Sequence, residues 1–366
     1  MEILKKFRDR EIAARIVEEI RKFTPKDKII KIMHVCGTHE NTIARYALRN
    51  LLPETIDLIA GPGCPVCICP AKDIDEVIYL SKQKDIIVAT YGDMVKTPAT
   101  ETSLWEARAS GANVVIVYSA HDAIKLAEKY PMKKVIFFSV GFETTAPGVA
   151  SEIVDGLPEN FYVYSSHRLI PPAMDALLSS GKIMIDGIIA PGHVSTIIGV
   201  KPYEIFPKKY KLPVVIAGFE PIDVLFAIMM ILKQLKENEP KVENEYSRVV
   251  TYEGNKKAQK ILYEAFETID AAWRGLGVIP KSGLELRKEF DDHNARKNFE
   301  IKLEKPSLDI APGCSCNKVI LGQIKPPECP MFGKACTPQR PYGPCMVSQE
   351  GTCRIWYKYS GTTIRL

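Results

Sequence analysis

The sequence predicts an α/β fold in which helices cover parallel sheets. Eight short runs rich in Ile and Val recur between residues 29 and 217, and each run ends in small or polar residues. Segments of helical length lie between most of these runs. Strands that alternate with helices favour parallel sheets, because the chain has to cross over the sheet between parallel neighbours.

The elements follow in order along the chain. Residues 3–23 carry apolar side chains at close to helical spacing, which predicts an amphipathic helix. The predicted strands are residues 29–35, 56–60, 86–89, 114–118, 135–140, 161–164, 187–190 and 214–217. The clearest predicted helices between them are residues 41–51, 73–82, 103–109 and 123–130.

The longest apolar run, residues 224–232, is too short to cross a bilayer, which needs about 20 helical residues. We interpret it as a buried helix and expect no membrane contact. The charged N-terminal segment MEILKKFRDRE lacks the apolar centre of a signal peptide, so we expect a cytoplasmic protein.

The strand pattern suggests two similar α/β domains followed by a third. AGPGCPV after the second strand resembles APGHVST after the seventh, which favours domains at residues 1–130 and 131–240. Beyond residue 240 the alternation stops, and residues 253–276 and 284–298 have a helical pattern. We expect residues 241–366 to form a mainly helical and loop domain that a metal centre organises, because its end is rich in Pro, Gly and Cys.

The composition limits which classes of function the protein can have. A net charge of +5 spread over 366 residues, without a basic stripe, gives no indication of a nucleic-acid partner. Ten cysteines in a cytoplasmic chain indicate metal binding or redox chemistry. The Lys-, Glu- and Ile-rich composition is typical of thermophiles, whose cytosol also tolerates structural disulfides, so that alternative stays open.

The candidate chemistry follows the strands. Ligands of open parallel sheets bind at the carboxyl ends of the strands, and four of the six histidines fall in the loops after predicted strands. The sequence contains neither of the two common glycine-rich nucleotide motifs.

Cys36 lies between a predicted strand and a helix that Thr38 would cap. A helix N-terminus lowers the pKa of a thiol, so we expect a thiolate that binds a soft metal or attacks an electrophile. His39 is a candidate second ligand or proton donor. A buried free cysteine and a loop-capping histidine are the alternatives.

Cys64 and Cys67 form a Cys-Pro-Val-Cys motif after the second strand. This spacing suits a reversible disulfide at a helix start, and also half of a zinc site. We expect the third thiol, Cys69, to be buried.

Six further cysteines occupy the last part of the chain: Cys314, Cys316, Cys329, Cys336, Cys345 and Cys353. They lack the two closely spaced cysteine pairs (C-x2-4-C) that are usual in structural zinc sites, although zinc stays an alternative. Four of them give the pattern C-x14-C-x6-C-x16-C, which suits a cubane cluster whose irons each take a separate thiolate: Cys314, Cys329, Cys336 and Cys353.

Together these motifs resemble the HypD family of [NiFe]-hydrogenase maturation proteins. The resemblance runs in order from about residue 30 to 360, through CGTHE (36–40), GPGCPVC (61–67), FSVGFETTAP (138–147), APGHVSTIIG (190–199), AGFEP (217–221) and the cysteine tail. It implies a scaffold for the Fe(CN)2CO group, bound by a small HypC-type chaperone and a HypE-type cyanide donor. It also implies one [4Fe–4S] cluster in surroundings similar to those of ferredoxin:thioredoxin reductase.

The resemblance also implies roles for single residues. Cys36 would hold the iron of the Fe(CN)2CO cargo together with a cysteine of the chaperone, and His39 would support it. Cys64 and Cys67 would be the redox pair. The cluster ligands would be Cys329, Cys336 and Cys353 with either Cys314 or Cys316, of which spacing favours Cys314; Cys69 and Cys345 receive no role.

Two other functions stay open. One is a free-standing, cluster-dependent thiol–disulfide oxidoreductase, and the other is a zinc-stabilised interaction module. On the scaffold interpretation, the protein is an assembly platform with redox-active thiols rather than a conventional enzyme.

Overall fold

The structure, a computed structural model, describes residues 6–360 and confirms the α/β class. The strands are β1 (Ile30–His34), β2 (Ile56–Ala60), β3 (Ile86–Thr90), β4 (Val114–Ile116), β5 (Lys134–Gly141), β6 (Phe161–Arg168), β7 (Gly187–Pro191), β8 (Val214–Ala217), β9 (Val242–Asn244), β10 (Phe266–Trp273) and β11 (Gly277–Leu286). All eight predicted strands are therefore confirmed, with shifts of a few residues at their ends.

Within residues 6–360, sixteen α-helices accompany the strands. They are α1 (Arg10–Phe23), α2 (Gly37–Arg45), α3 (Pro65–Ile68), α4 (Ala71–Ser81), α5 (Gly92–Lys96), α6 (Leu104–Ala109), α7 (Ala120–Lys129), α8 (Ala146–Asp155), α9 (Ile170–Ser179), α10 (Gly192–Ile198), α11 (Ile205–Tyr210), α12 (Pro221–Glu237), α13 (Lys256–Ala265), α14 (Ala295–Asn298), α15 (Cys316–Ile320) and α16 (Thr352–Tyr359). Short 3-10 helices lie at Leu48–Asn50, Lys201–Glu204, Lys288–His293, Pro326–Glu328 and Pro344–Met346. Residues 3–5 of the helix predicted at 3–23 lie outside the described residues.

The first sheet has five parallel strands in the order β2-β1-β7-β8-β9. Its strands are buried on both faces, as alternation along β1 shows: Ile32 faces the core under α1 and α12, and Met33 faces the opposite core. The apolar run 224–232 lies in α12 and is buried against this sheet, as predicted.

The second sheet has six strands in the order β10-β11-β6-β5-β3-β4. Strands β4, β3, β5 and β6 are parallel, whereas β11 and β10 are antiparallel additions. Helices α7, α8 and α13 cover one face, and α4 and α6 cover the other. One core contains Met33 and Ile188 of the first sheet together with Phe142 and Trp273 of the second, so the two sheets share buried side chains.

The sheets do not follow the division expected at residue 130. Strands β1 and β2 pair with β7 to β9, while β3 and β4 pair with β5 and β6. The alternation of strands and helices is the same whichever sheet the next strand joins, so periodicity does not reveal the change of sheet.

The helix predicted at 253–276 is wrong over most of its length. The helix predicted at 284–298 is confirmed in part, as the 3-10 helix Lys288–His293 followed by α14, after the end of β11 at Leu286. Helix α13 ends at Ala265, and a hairpin of β10 and β11 extends the second sheet. Gly275 and Gly277, with φ angles of 69° and 89°, turn the chain between the two strands. Within residues 6–360, no helix is long and apolar enough to span a membrane.

Candidate functional site

The candidate site lies at the carboxyl ends of four neighbouring strands of the first sheet. In the order β2, β1, β7 and β8, these strands lead into residues 61–67, Cys36, His193 and Phe219. Because parallel strands place their carboxyl ends at one edge, segments far apart in sequence come together here.

Cys36 is the N-cap of α2, in extended backbone just after β1. Its Sγ accepts a hydrogen bond from the Thr38 backbone N–H at 3.3 Å, and its carbonyl accepts one from the Glu40 N–H at 3.2 Å. The residue is only 2% exposed. The helix start predicted from the sequence is therefore present, but Cys36 itself caps it and the predicted cap, Thr38, lies inside the helix.

The predicted lowering of the thiol pKa is wrong for this environment. Burial, assisted by the nearby Glu350 carboxylate, raises the pKa of Cys36 to about 12. Hydrogen bonds from the His39 and Thr38 backbone act in the predicted direction but are outweighed. The thiol in this structure therefore holds its proton at neutral pH.

Glu350 brings the cysteine-rich segment to this site. Its carboxylate accepts a hydrogen bond from the Thr38 hydroxyl at 3.2 Å. A Cβ on Gly37 would overlap the Glu350 backbone, so glycine at position 37 permits this close approach. Burial raises the pKa of Glu350.

His39 is buried and its ring is turned towards the loop after β8. Its Nε2 donates to the carbonyls of Gly218 at 2.9 Å and Ala217 at 3.3 Å. Burial, followed by the neighbouring His34, lowers the pKa of His39 to about 3, so its ring is neutral. In this arrangement His39 positions the 217–219 backbone and does not face the Cys36 thiol.

His193 is the histidine that faces Cys36. Its ring nitrogens lie 3.8 and 3.9 Å from the Cys36 Sγ. The Phe219 ring stacks against His193, with 5.1 Å between centroids, and lies 5.0 Å from His39 on its other side. Burial lowers the pKa of His193 to about 4. Sequence reasoning did not single out His193, although its place in APGHVST after the seventh strand was a usable signal.

A largely buried network of polar side chains, His34, Glu40 and Arg49, lies next to the Cys36 loop. The His34 Nε2 lies 2.6 Å from Glu40, and Arg49 makes two contacts with the same carboxylate at 2.8 and 3.0 Å. Burial opposes the ionisation of Glu40, but Arg49 and His34 outweigh it and lower its pKa to about 2. The Arg49 guanidinium lies 5.0 Å from the centre of the Trp356 ring in α16. This cation–π contact connects the C-terminal segment to the polar network.

Cys64 and Cys67 are joined by a disulfide, with 5.3 Å between their Cα atoms. Cys64 is the N-cap of α3, and both residues are buried. The preceding loop touches Cys36 directly: a Cβ on Gly63 would overlap the backbone of Val35 and Cys36. The sequence-predicted pair therefore lies beside the sequence-predicted anchor.

Cys69 is fully buried, as predicted. Its Sγ lies 3.5 Å from the Ser166 hydroxyl, which donates to Asp73 at 2.6 Å. Burial and the Asp73 charge raise the pKa of Cys69 to about 12. The thiol belongs to a polar cluster behind α4 rather than to the edge that holds Cys36.

The six C-terminal cysteines line a single small cavity together with Met331, Phe332, Gly343 and Met346. Interactions with neighbouring thiols, together with burial, raise the pKa values of Cys314, Cys316 and Cys345. Burial, together with the nearby Cys314 and Cys329 thiols, raises the pKa of Cys336. The 3-10 helix Pro344–Met346 packs against α3, so this cavity adjoins the Cys64–Cys67 disulfide.

The thiols of this cavity are the candidate ligands of the predicted iron–sulfur cluster. Among residues 6–360, no three His, Cys, Asp or Glu side chains converge as the ligands of a single metal ion do. The cavity offers thiols from several directions and otherwise apolar walls, which is the donor set that a cubane takes. A Cβ on Gly343 would lie 2.8 Å from the Cys314 Sγ, so the absence of a side chain there preserves this space.

Comparisons with known proteins place the chain among hydrogenase maturation proteins. The model of the HypD family, described as "Hydrogenase formation hypA family", matches residues 11–360. A putative hydrogenase expression/formation protein of Methanocaldococcus jannaschii is 48% identical over 357 residues, which cover 96% of this chain and 98% of the relative. The hydrogenase maturation factor HypD of Cupriavidus necator is 42% identical, with 98% and 97% covered, and HypD2 of Bradyrhizobium diazoefficiens is 43% identical with the same coverage.

Proposed function

Because this chain belongs to the HypD family of hydrogenase formation proteins, we propose that it is the scaffold on which the Fe(CN)2CO group of [NiFe]-hydrogenase is assembled. One observation supports this most strongly: three cysteine groups are contiguous in space. Cys36 adjoins the loop of the Cys64–Cys67 disulfide through Gly63, and that disulfide adjoins the cavity of six thiols. The proposed anchor, the disulfide that can take up two electrons and the candidate cluster cavity therefore lie next to one another in that order.

Cys36 is the proposed anchor of the cargo iron, shared with a cysteine of a HypC-type chaperone. Cyanide and carbon monoxide favour an electron-rich Fe(II), and a thiolate is a soft ligand that suits it. Binding requires that Cys36 lose its proton, which the thiol keeps while it is buried and unliganded. The His193 ring lies 3.8 Å from the Sγ, but burial lowers its pKa to about 4, so it is too weak a base to keep that proton, which has to leave to solvent or to a partner as the iron binds.

The Cys64–Cys67 disulfide is the proposed redox partner of the anchor. Its reduction to two thiols takes two electrons and two protons. The [4Fe–4S] cluster proposed for the thiol cavity would supply the electrons one at a time, and the protons would come from solvent. Reduction would free two thiols next to the Gly63 backbone that packs against Cys36.

Four thiols are the proposed cluster ligands: Cys314, Cys329, Cys336 and Cys353. The choice of Cys314 over Cys316 rests on the C-x14-C spacing to Cys329. Both thiols line the cavity, at 2.8 Å (Cys314) and 4.0 Å (Cys316) from the position of a Cβ on Gly343. A Cys314→Ser variant should lose iron and sulfide, whereas Cys316→Ser should retain both; equal loss in the two variants would contradict the assignment.

The HypE-type cyanide donor is the second proposed partner. A partner would supply the second thiolate, because no second cysteine among the described residues lies within hydrogen-bonding distance of the Cys36 Sγ. The nearest side chains there are His193, Thr38 and Glu350.

The free-standing thiol–disulfide oxidoreductase is the second candidate. Cys64 is 6% exposed and Cys67 only 1%, so a protein disulfide, like a chaperone cysteine approaching the 2% exposed Cys36, reaches its target only after this region rearranges. Steady-state turnover of a disulfide substrate without partner proteins, retained in Cys36→Ala, would favour that function over the scaffold.

Infrared spectroscopy tests the scaffold directly. The chain is purified anaerobically with its small chaperone, and we expect cyanide and carbon monoxide stretching bands. They should vanish in Cys36→Ala while iron and sulfide stay bound. Cys69→Ala is the matched control, since Cys69 is equally buried but lies behind α4, and it should keep the bands. Bands that persist in Cys36→Ala would refute the anchor.

A further inference from the structure

A groove of about 800 Å³ lies between α5, α6 and the cysteine-rich segment. It is lined by the side chains of Lys96, Trp105, Arg340, Tyr342 and Arg354, among others. Trp105 is half exposed, although tryptophan is normally well covered. Tryptophan, tyrosine and arginine are the residues that contribute most at protein–protein contacts, so this lining has the composition of a docking surface.

The groove carries positive charge that the described residues do not neutralise. Lys96, Arg340 and Arg354 form no ion pair within residues 6–360; Lys96 lies 5.7 Å from the Trp105 ring. The two carboxylates at the groove are already engaged. Glu101 pairs with Lys305 at 2.6 Å, and Glu106 accepts hydrogen bonds from Thr102 and Ser103.

A wall one residue thick separates this groove from the thiol cavity. Tyr342 lines the groove, and its backbone N–H donates to the Cys336 Sγ at 3.3 Å. The next residue, Gly343, lies against Cys314. The groove is therefore an outer surface close to the thiols that we assign to the cluster.

We propose that this groove is the docking site of an acidic protein that carries single electrons. The cations complement the acidic surface, Trp105 and Tyr342 provide the apolar contact, and Cys336 and Cys314 lie directly behind the wall. The electron-carrier part rests on the proposed function. In the transfer itself the carrier is oxidised by one electron and the cluster is reduced by one, with no bond made or broken.

Binding of an acidic plant-type [2Fe–2S] ferredoxin, in its oxidised form, tests the surface by calorimetry on the anaerobically purified chain. We expect an affinity that falls with added salt and is weakened on the order of tenfold in the double variant Lys96→Glu/Arg340→Glu. Trp105→Ala should weaken binding without changing the charge. The matched control is Lys257→Glu/Lys260→Glu, two exposed lysines of α13, which should retain the affinity of the unchanged chain.

Unchanged affinity in the groove variants, or equal loss in the control, would overturn the docking surface. Sedimentation adds a separate check: if the unchanged chain dimerises and Lys96→Glu/Arg340→Glu does not, the occupant is a second copy and the proposal is wrong. Iron and sulfide are measured on the same samples. Their absence would refute the proposed cluster, and with it the electron-carrier part, while the binding data still decide the docking surface.

Discussion

Glu143, in the GFETT motif after β5, is a carboxyl group buried without full hydrogen bonding. Its Oε1 accepts a hydrogen bond from the Ile170 N–H at 2.9 Å, whereas its Oε2 has no partner among residues 6–360. Burial raises the pKa of Glu143 to about 7, against the opposing effect of hydrogen bonds from the backbone. We predict that Glu143→Gln stabilises the protein above neutral pH.

The sign and size follow from the shifted pKa. A carboxyl group whose pKa is raised on folding favours the folded state below its unfolded value of about 4.5, and that contribution is lost as the pH rises through the folded value of about 7. The difference of roughly 2.5 pKa units corresponds to about 3 kcal/mol. Gln resembles the protonated acid, so it should match the wild type near pH 4.5 and exceed its free energy of unfolding by about 3 kcal/mol at pH 8.

Urea denaturation from pH 4.5 to pH 8.5, followed by circular dichroism, measures this difference. Subtracting the two curves cancels every titrating group that the proteins share. Glu159→Gln, at an exposed carboxylate, is the control and should give a flat difference curve. A difference between wild type and Glu143→Gln that does not change with pH would refute the reasoning.

Three further predictions concern close contacts around the site. Gly63→Ala should disrupt the Cys36 loop and abolish loading of the cargo iron in the infrared assay, whereas Gly148→Ala, where a Cβ meets no atom within 4 Å, should be tolerated; normal loading of Gly63→Ala would contradict the packing. Arg274→Met removes the donor of two backbone hydrogen bonds at 2.7 and 2.8 Å and should lower the free energy of unfolding by about 2–4 kcal/mol, an interpretation that unchanged urea midpoints would exclude. Trp356→Ala should lower the melting temperature more than Trp356→Phe, which keeps a ring over the guanidinium; equal losses would argue against the cation–π contact.

The sequence predicted the elements better than their assembly. Runs of Ile and Val bounded by small residues located all eight strands from β1 to β8, because burial on both faces leaves a local apolar signal. The hairpin of β10 and β11 escaped prediction, because exposed Glu267 and Thr268 break the alternation and make the segment look helical. The exchange of strands between the sheets depends on pairing over long distances, which local patterns do not contain.

The candidate cysteines of the site could be named from the sequence, but the surroundings of their thiols could not. Their positions after predicted strands made Cys36 and the Cys64–Cys67 pair candidates, and their chemical roles stay predictions. The helix N-terminus at Cys36 and its effect on the pKa were predicted, but the net shift was not, because burial and the charge of Glu350, more than 300 residues away in sequence, outweigh that effect. His193 reaches the same thiol only through the pairing of β1 with β7.

The path of the chain between the two sheets also determines when the first sheet can assemble during synthesis. Strand β1 lies between β2 and β7, and about 150 residues separate the end of β1 from the start of β7. At about 5–20 residues per second, the ribosome needs on the order of 10–30 s to synthesise them. Throughout that time one edge of β1 lacks its partner strand, and unpaired edges promote aggregation. The nascent chain therefore completes the surroundings of Cys36 only after most of its own length has emerged.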